Sequence, residues 1–304
     1  MTQPTEFPEY GGVGNKADAR RMRRSFRICV FAVIFFVGIL WFSERYLTND
    51  LAETQYIAGL TLAPESARSF LRSAVRHDGQ HNETPSVKYL QALAEREEQD
   101  LILPVYQQAY ELDPTDPFLG LRYGCQLYVA EHYAKAAERF RETRNHPPKN
   151  ALAGYLEAAA IAGASANSDL SESIALIAKI NENNAPVIFP EPLWSDALPK
   201  QGYWYQKLRR QAVEECLQPI NVFTDQIISQ AKTRIAVKYI QSWDARLQTL
   251  QTMGERIVKG PSQGSVQAMV GIRIQLAALE LRQDISSIET GRPDSDLAEI
   301  QSKL

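Results

Sequence analysis

The sequence is poor in the residues that do chemistry. Three cysteines and four histidines are spread over 304 residues, which supplies neither a disulfide framework nor a metal-ligand set of regular spacing. Cys29 lies in an apolar run, and Cys125 and Cys216 fall inside helical patterns, so all three are expected as small buried residues. His77 and His81 stand four apart, but Gly79 between them is expected to end the helix there, and no third ligand follows. His132 and His146 fall at surfaces or turns. Strand-to-helix nucleophile elbows, phosphate-binding loops and Cys-x-x-Cys pairs are missing. The glycine-rich stretch Gly260-Pro261-Ser262-Gln263-Gly264-Ser265 joins helix to helix and offers no lysine for a phosphate, so a turn is expected. The acidic run Glu95, Glu97, Glu98, Asp100 is expected as a solvated helix face rather than an acid/base pair. No catalytic residue, metal or cofactor is therefore expected.

What the chain does have is one uncharged stretch, Ile28 to Ser43, sixteen residues long. With Phe26 and a snorkelling Arg27 it approaches the roughly 17 to 20 apolar residues that a spanning helix needs. Lys16, Arg20, Arg21, Arg23, Arg24 and Arg27 precede it, while Glu44, Arg45, Asp50 and Glu53 follow. The positive-inside rule then places the N-terminus in the cytoplasm and the bulk of the chain outside. Leu40, Trp41 and Phe42 are too bulky for a signal-peptidase site, so the segment is expected as an uncleaved anchor. Six basic residues against Glu6, Glu9 and Asp18 give the arm a charge of about +3, leaving about −6 beyond the membrane, which argues against a nucleic-acid partner there.

The expected organisation follows from composition and period. Residues 1–25 form a Pro/Gly-rich cytoplasmic arm, 26–45 the transmembrane helix, 46–184 helical repeats, 185–218 a connection and short helix, 219–290 a long helical hairpin, and 291–304 a polar, frayed tail. Within the connection, Pro186, Pro190, Pro192 and Pro199 stand among Phe189, Trp194, Tyr203, Trp204 and Tyr205, so an irregular aromatic loop is expected. Pro219 to Val258 carries an unbroken helical stripe with no internal proline. Ser265 to about Glu289 folds back on it.

Between 83 and 150 two segments align at a spacing of 34 residues, so that Tyr106 falls on Phe140 and Pro114 on Pro148. Gly124, Ala136 and Phe140 occupy the small and gap-filling positions of a helix pair, and Ala109-Tyr110-Glu111-Leu112-Asp113-Pro114 closes the first. This stretch resembles tetratricopeptide repeats, whose period is 34. The resemblance covers under half of the chain, with Asp50 to Asn82 and Ala151 to Asn184 as weaker flanking units. It implies a TPR-like helical-hairpin solenoid; with the long antiparallel hairpin after it and the one transmembrane helix before it, the expected fold class is all-α. The resemblance also implies a partner groove presenting Val87, Gln91, Phe118, Leu121, Cys125, Tyr128, Leu152 and Tyr155. Lys88 and Arg122 sit beside it without completing the family's carboxylate clamp.

The last long helix carries a second apolar face, Met269, Ile272, Leu276 and Leu279, which must meet the repeats, a second copy of the chain or another protein; a partner contact is expected over an internal one. The resulting expectation is a single-pass bacterial inner-membrane protein with a periplasmic scaffold that binds other proteins and catalyses nothing. Two alternatives stand beside it: a wall- or glycan-acting enzyme or its binding subunit, using the aromatic loop around Trp194 and Trp204, and an organelle-surface receptor facing the cytosol.

Overall fold

A computed structural model describes residues 30–31, 33–38, 50–62, 64–82, 84–98, 101–165, 169–192, 202–261, 264–292 and 294–303. The expected cytoplasmic arm, most of the expected membrane span and Trp194 lie outside them. Among the described residues no helix is long and apolar enough to cross a membrane, although residues 30–31 and 33–38 are helical. The described regular structure is entirely helical.

Twelve labelled helices carry the argument: α1 (50–61), α2 (Pro64–Asn82), α3 (Val87–Ala94), α4 (Ile102–Leu112), α5 (Pro117–Val129), α6 (Tyr133–Asn145), α7 (Ala151–Ala164), α8 (Ser171–Glu182), α9 (Tyr203–Ala236), α10 (Trp243–Val258), α11 (Ser265–Thr290) and α12 (Ser295–Lys303). From α3 to α8 each helix packs on the next, so three hairpins stack in chain order. Helix α10 then packs on α8, and α11 folds back along α10.

Local chemistry sets these boundaries. Asp116 accepts from the backbone N–H groups of Phe118 and Leu119, and Pro117 follows at the first helical position, where its missing donor costs nothing. Asn150 caps α7 through Leu152 N–H. The same side chain bonds both backbone groups of Ile188, at 2.6 and 3.0 Å, and so fastens the extended segment after α8 to the start of α7. Val187 and Phe189 of that segment are core residues. Part of the expected aromatic loop is thus a packed strap.

The α5–α6 crossing depends on a missing side chain. A Cβ on Gly124 would lie 2.5 Å from Cε1 of Phe140, so the phenyl ring occupies the space next to the glycine, and Phe140, more than Ala136, limits the approach. Gly124→Leu is expected to cost about 1 to 3 kcal/mol by overpacking. Thermal melting of the chain checks this, and adding Phe140→Ala should recover part of the loss.

The α10–α11 hairpin uses the same device twice. A Cβ on Gly254 would meet the Gly271 carbonyl oxygen at 2.7 Å, and one on Gly271 would meet the Gly254 oxygen at the same distance.

Several expectations are corrected. Helix α2 runs through Gly79 to Asn82, and the buried Asp78 carboxylate accepts from Ser86 N–H and the Asn82 amide. The expected 40-residue helix from Pro219 is two helices. Helix α9 begins at Tyr203 and carries Pro219 in its interior, because burying Cys216, Leu217, Ile220 and Phe223 outweighs one lost backbone bond, at roughly 1.5–3 kcal/mol per large apolar side chain. It ends where Lys238 adopts a left-handed backbone, with Tyr239 N–H bonding the Arg234 carbonyl, a terminator usually marked by glycine. Residues 295–303 form α12, docked on α11 through Leu297 rather than frayed. Gly260 to Gly264 spells Gly-Pro-Ser-Gln-Gly, but it runs from α10 into α11 without the strand that a nucleophile elbow requires.

Candidate functional site

The first helices of the three hairpins, α3, α5 and α7, were expected to line an open groove. Helix α9 packs against α5 and α7, and its Leu208 joins the α3 residues Tyr89 and Leu93 in one cluster. Its Val213, Cys216, Leu217, Ile220, Phe223 and Ile227 belong to the same core as Leu121, Leu152 and Tyr155. The groove is therefore filled by the chain's own helix.

That placement corrects the expected partner set. Leu121, Cys125, Leu152 and Tyr155 have no exposed surface, and Gln91 and Tyr128 are buried. Phe118 is half-buried against the main core, and Val87 against a smaller cluster with Leu90 and Tyr106. These side chains bind, but what they bind is internal. Tyr155 shows how tightly: its hydroxyl donates to Asn181 at 2.7 Å, and the Asn181 amide donates to the Thr249 carbonyl at 2.9 Å, joining α7, α8 and α10. Burial pushes the Tyr155 phenol up to about 12.

The polar centre of the site was not legible as such. Arg122 of α5 is 1% exposed and reaches Glu95, just past α3, at 3.3 Å and Glu215 of α9 at 3.2 Å. Glu215 also accepts from the Gln126 and Gln211 amides, both at 3.0 Å. The guanidinium further stands 5.8 Å from the centre of the Tyr106 ring. Burial by itself would lower the Arg122 pKa, but Glu215, Tyr106 and Glu95 outweigh it and hold the value well above the ordinary one. The cation is permanently charged and bridges α3, α5 and α9.

The expected solvated acidic face is accordingly wrong for two of its members. Glu95 is spent on Arg122. The Glu97 side chain, 2% exposed, takes Arg72 of α2 at 2.5 Å; burial opposes ionisation there, but the Arg72 pair overrides it and lowers the carboxyl pKa. Lys88 also has a local task, since Glu53 of α1 accepts from it at 2.7 Å and from Tyr89 at 2.8 Å.

One cleft beside α9, of about 600 Å³, is lined by Tyr128, Tyr133, Leu170, Val222, Asp225 and Gln230, and another, of about 330 Å³, by Lys207 and Leu208 of α9 with Arg68 and Glu98. No group of three or more potential metal ligands occurs among the described residues.

The second expected surface is only partly a surface. Met269 is 62% exposed, whereas Leu279 has no exposed area. Ile272 and Leu276 are half-buried. Helix α11 has neighbours beyond α10: α9, reached by Arg273 donating to Asn221 at 2.7 Å, and α12. Leu279 itself is fully buried.

Fold and site together define an all-helical hairpin array closed by its own long helix. No protein-family model matches the chain, and no curated protein matches it significantly.

Proposed function

We infer that the protein is a membrane-anchored scaffold of the tetratricopeptide-like kind, which holds other envelope proteins on the outer side of a bacterial inner membrane. The observation that carries the anchor is the helical run of Val30, Phe31, Val33, Ile34, Phe35, Phe36 and Val37, each 40% exposed or more. A helix showing that much apolar surface calls for a cover, and a bilayer supplies one. The six basic residues before it orient the chain. Support for the repeat character comes from the stacked hairpins and from the glycine-to-phenyl contact between Gly124 and Phe140.

With the groove filled, partners are left to the outside of the array. Met269 with the half-buried Ile272 and Leu276 offers a small apolar patch beside the charged Arg273, an apolar centre with a polar edge of the kind that interfaces use. A second copy of the chain or another membrane protein fits it.

A periplasm-active reporter fused after Leu62 tests the orientation. It is expected to be active, and a paired cytoplasm-active reporter silent. The reverse pattern would remove both the anchor's orientation and the proposed location.

A further inference from the structure

Two thiols meet where α9 enters the array. Cys125 of α5 and Cys216 of α9 are fully buried, and their Sγ atoms are 3.5 Å apart. In sequence they are 91 positions apart, so nothing local brings them together; the docking of α9 does. A disulfide needs the sulfurs at about 2.05 Å, so the pair has about 1.5 Å to close.

We propose that Cys125 and Cys216 form a disulfide that fastens α9 to the inner face of the array when the chain folds in an oxidising compartment. The compartment, though not the geometry, rests on the extracytoplasmic reading above. The oxidant is a dithiol–disulfide carrier protein or a small-molecule disulfide. One cysteine thiolate attacks a sulfur of that disulfide, forming a mixed disulfide and releasing the carrier's other sulfur as a thiolate. The second cysteine, having lost its proton to solvent, then attacks the protein-side sulfur and expels the remaining carrier thiolate. Two electrons pass from the two cysteines to the carrier, and the two cysteine protons leave for solvent or the released thiolates.

Timing follows from burial. Neither sulfur is accessible once α9 has docked, and burial first, then Cys216, pushes the Cys125 pKa well up, which suppresses the thiolate. Exchange therefore belongs to the interval before α9 closes, and the finished bond is shielded from reductant. Linking residues so far apart restricts the unfolded chain and raises the stability of the closed array.

Two arms test this. In the first, the purified full chain is reduced, unfolded, and refolded in glutathione buffer or in reductant, then acid-quenched, alkylated under denaturing conditions and weighed. The oxidised sample is expected to carry two fewer alkyl groups, with a peptide pair joining Cys125 to Cys216, and to melt about 5 to 10 °C higher than the reduced one. Cys125→Ala and Cys216→Ala should each abolish the mass difference. Full alkylation after oxidising refolding, or bonds chiefly to Cys29, overturns the proposal whatever the topology. In the second arm, thiols are trapped in living cells expressing the chain. A bond found there supports both the proposal and the compartment. A pair that oxidises in the first arm but is reduced in cells supports the geometry of the bond and overturns the oxidising compartment, and with it the proposed location.

Discussion

Replacing Arg122 by alanine is expected to lower the unfolding free energy by about 3 to 5 kcal/mol, the usual cost of breaking a buried ion pair on one side. The substitution leaves Glu95 and Glu215 close together without the cation between them, and the Glu95 side chain is 1% exposed. Urea unfolding of the chain measures the loss. A triple variant, Arg122→Met with Glu95→Gln and Glu215→Gln, is expected to regain much of the loss, since a buried ion network is often replaceable by well-packed groups of similar volume. A loss below about 1 kcal/mol for Arg122→Ala would mean that the three groups behave as a solvated surface pair and that α9 is not held as described.

Leu279→Asp is the second large effect. The leucine has no exposed surface, so the aspartate would be buried without a partner, and the expected result is loss of the cooperative melt and of the helical circular dichroism signal. Met269→Asp, on the same expected face but 62% exposed, should leave the melt unchanged within about 0.5 kcal/mol while reducing copurification of a partner or the mass of an oligomer. A folded, fully helical Leu279→Asp chain would contradict the assignment of that end of the face to the interior.

The contrast between these two residues shows where the sequence was informative. A period of 3.6 finds the apolar stripe on α11 but does not say how many neighbours the helix has, and here α10, α9 and α12 all pack on it. The hairpins themselves were legible, because Gly124, Phe140, Tyr106 and Ala109 sit at the spacing that two crossing helices require, and all but the side-chain-free glycine are core residues. The occupant of the groove was not. Leu121, Leu152 and Tyr155 look alike whether they face a partner's helix or the chain's own, and α9 begins some forty residues after α7 ends. Pro219 argued against a helix running through it, and the break at Lys238 carries no glycine. Arg122 and Glu95 look like surface charges in the sequence, since only the fold brings residues 27 positions apart together.

The central claim is that α9 is a permanent part of the array, seated in the groove. Hydrogen–deuterium exchange of the full chain tests it most directly. Amides of α9 from Val213 to Ile227 are expected to be as protected as those of α7 and to open with the same free energy, as members of one cooperative unit. Exchange of this stretch orders of magnitude faster than α7, with α7 itself remaining protected, would show a groove that stands open without α9 and would contradict the account.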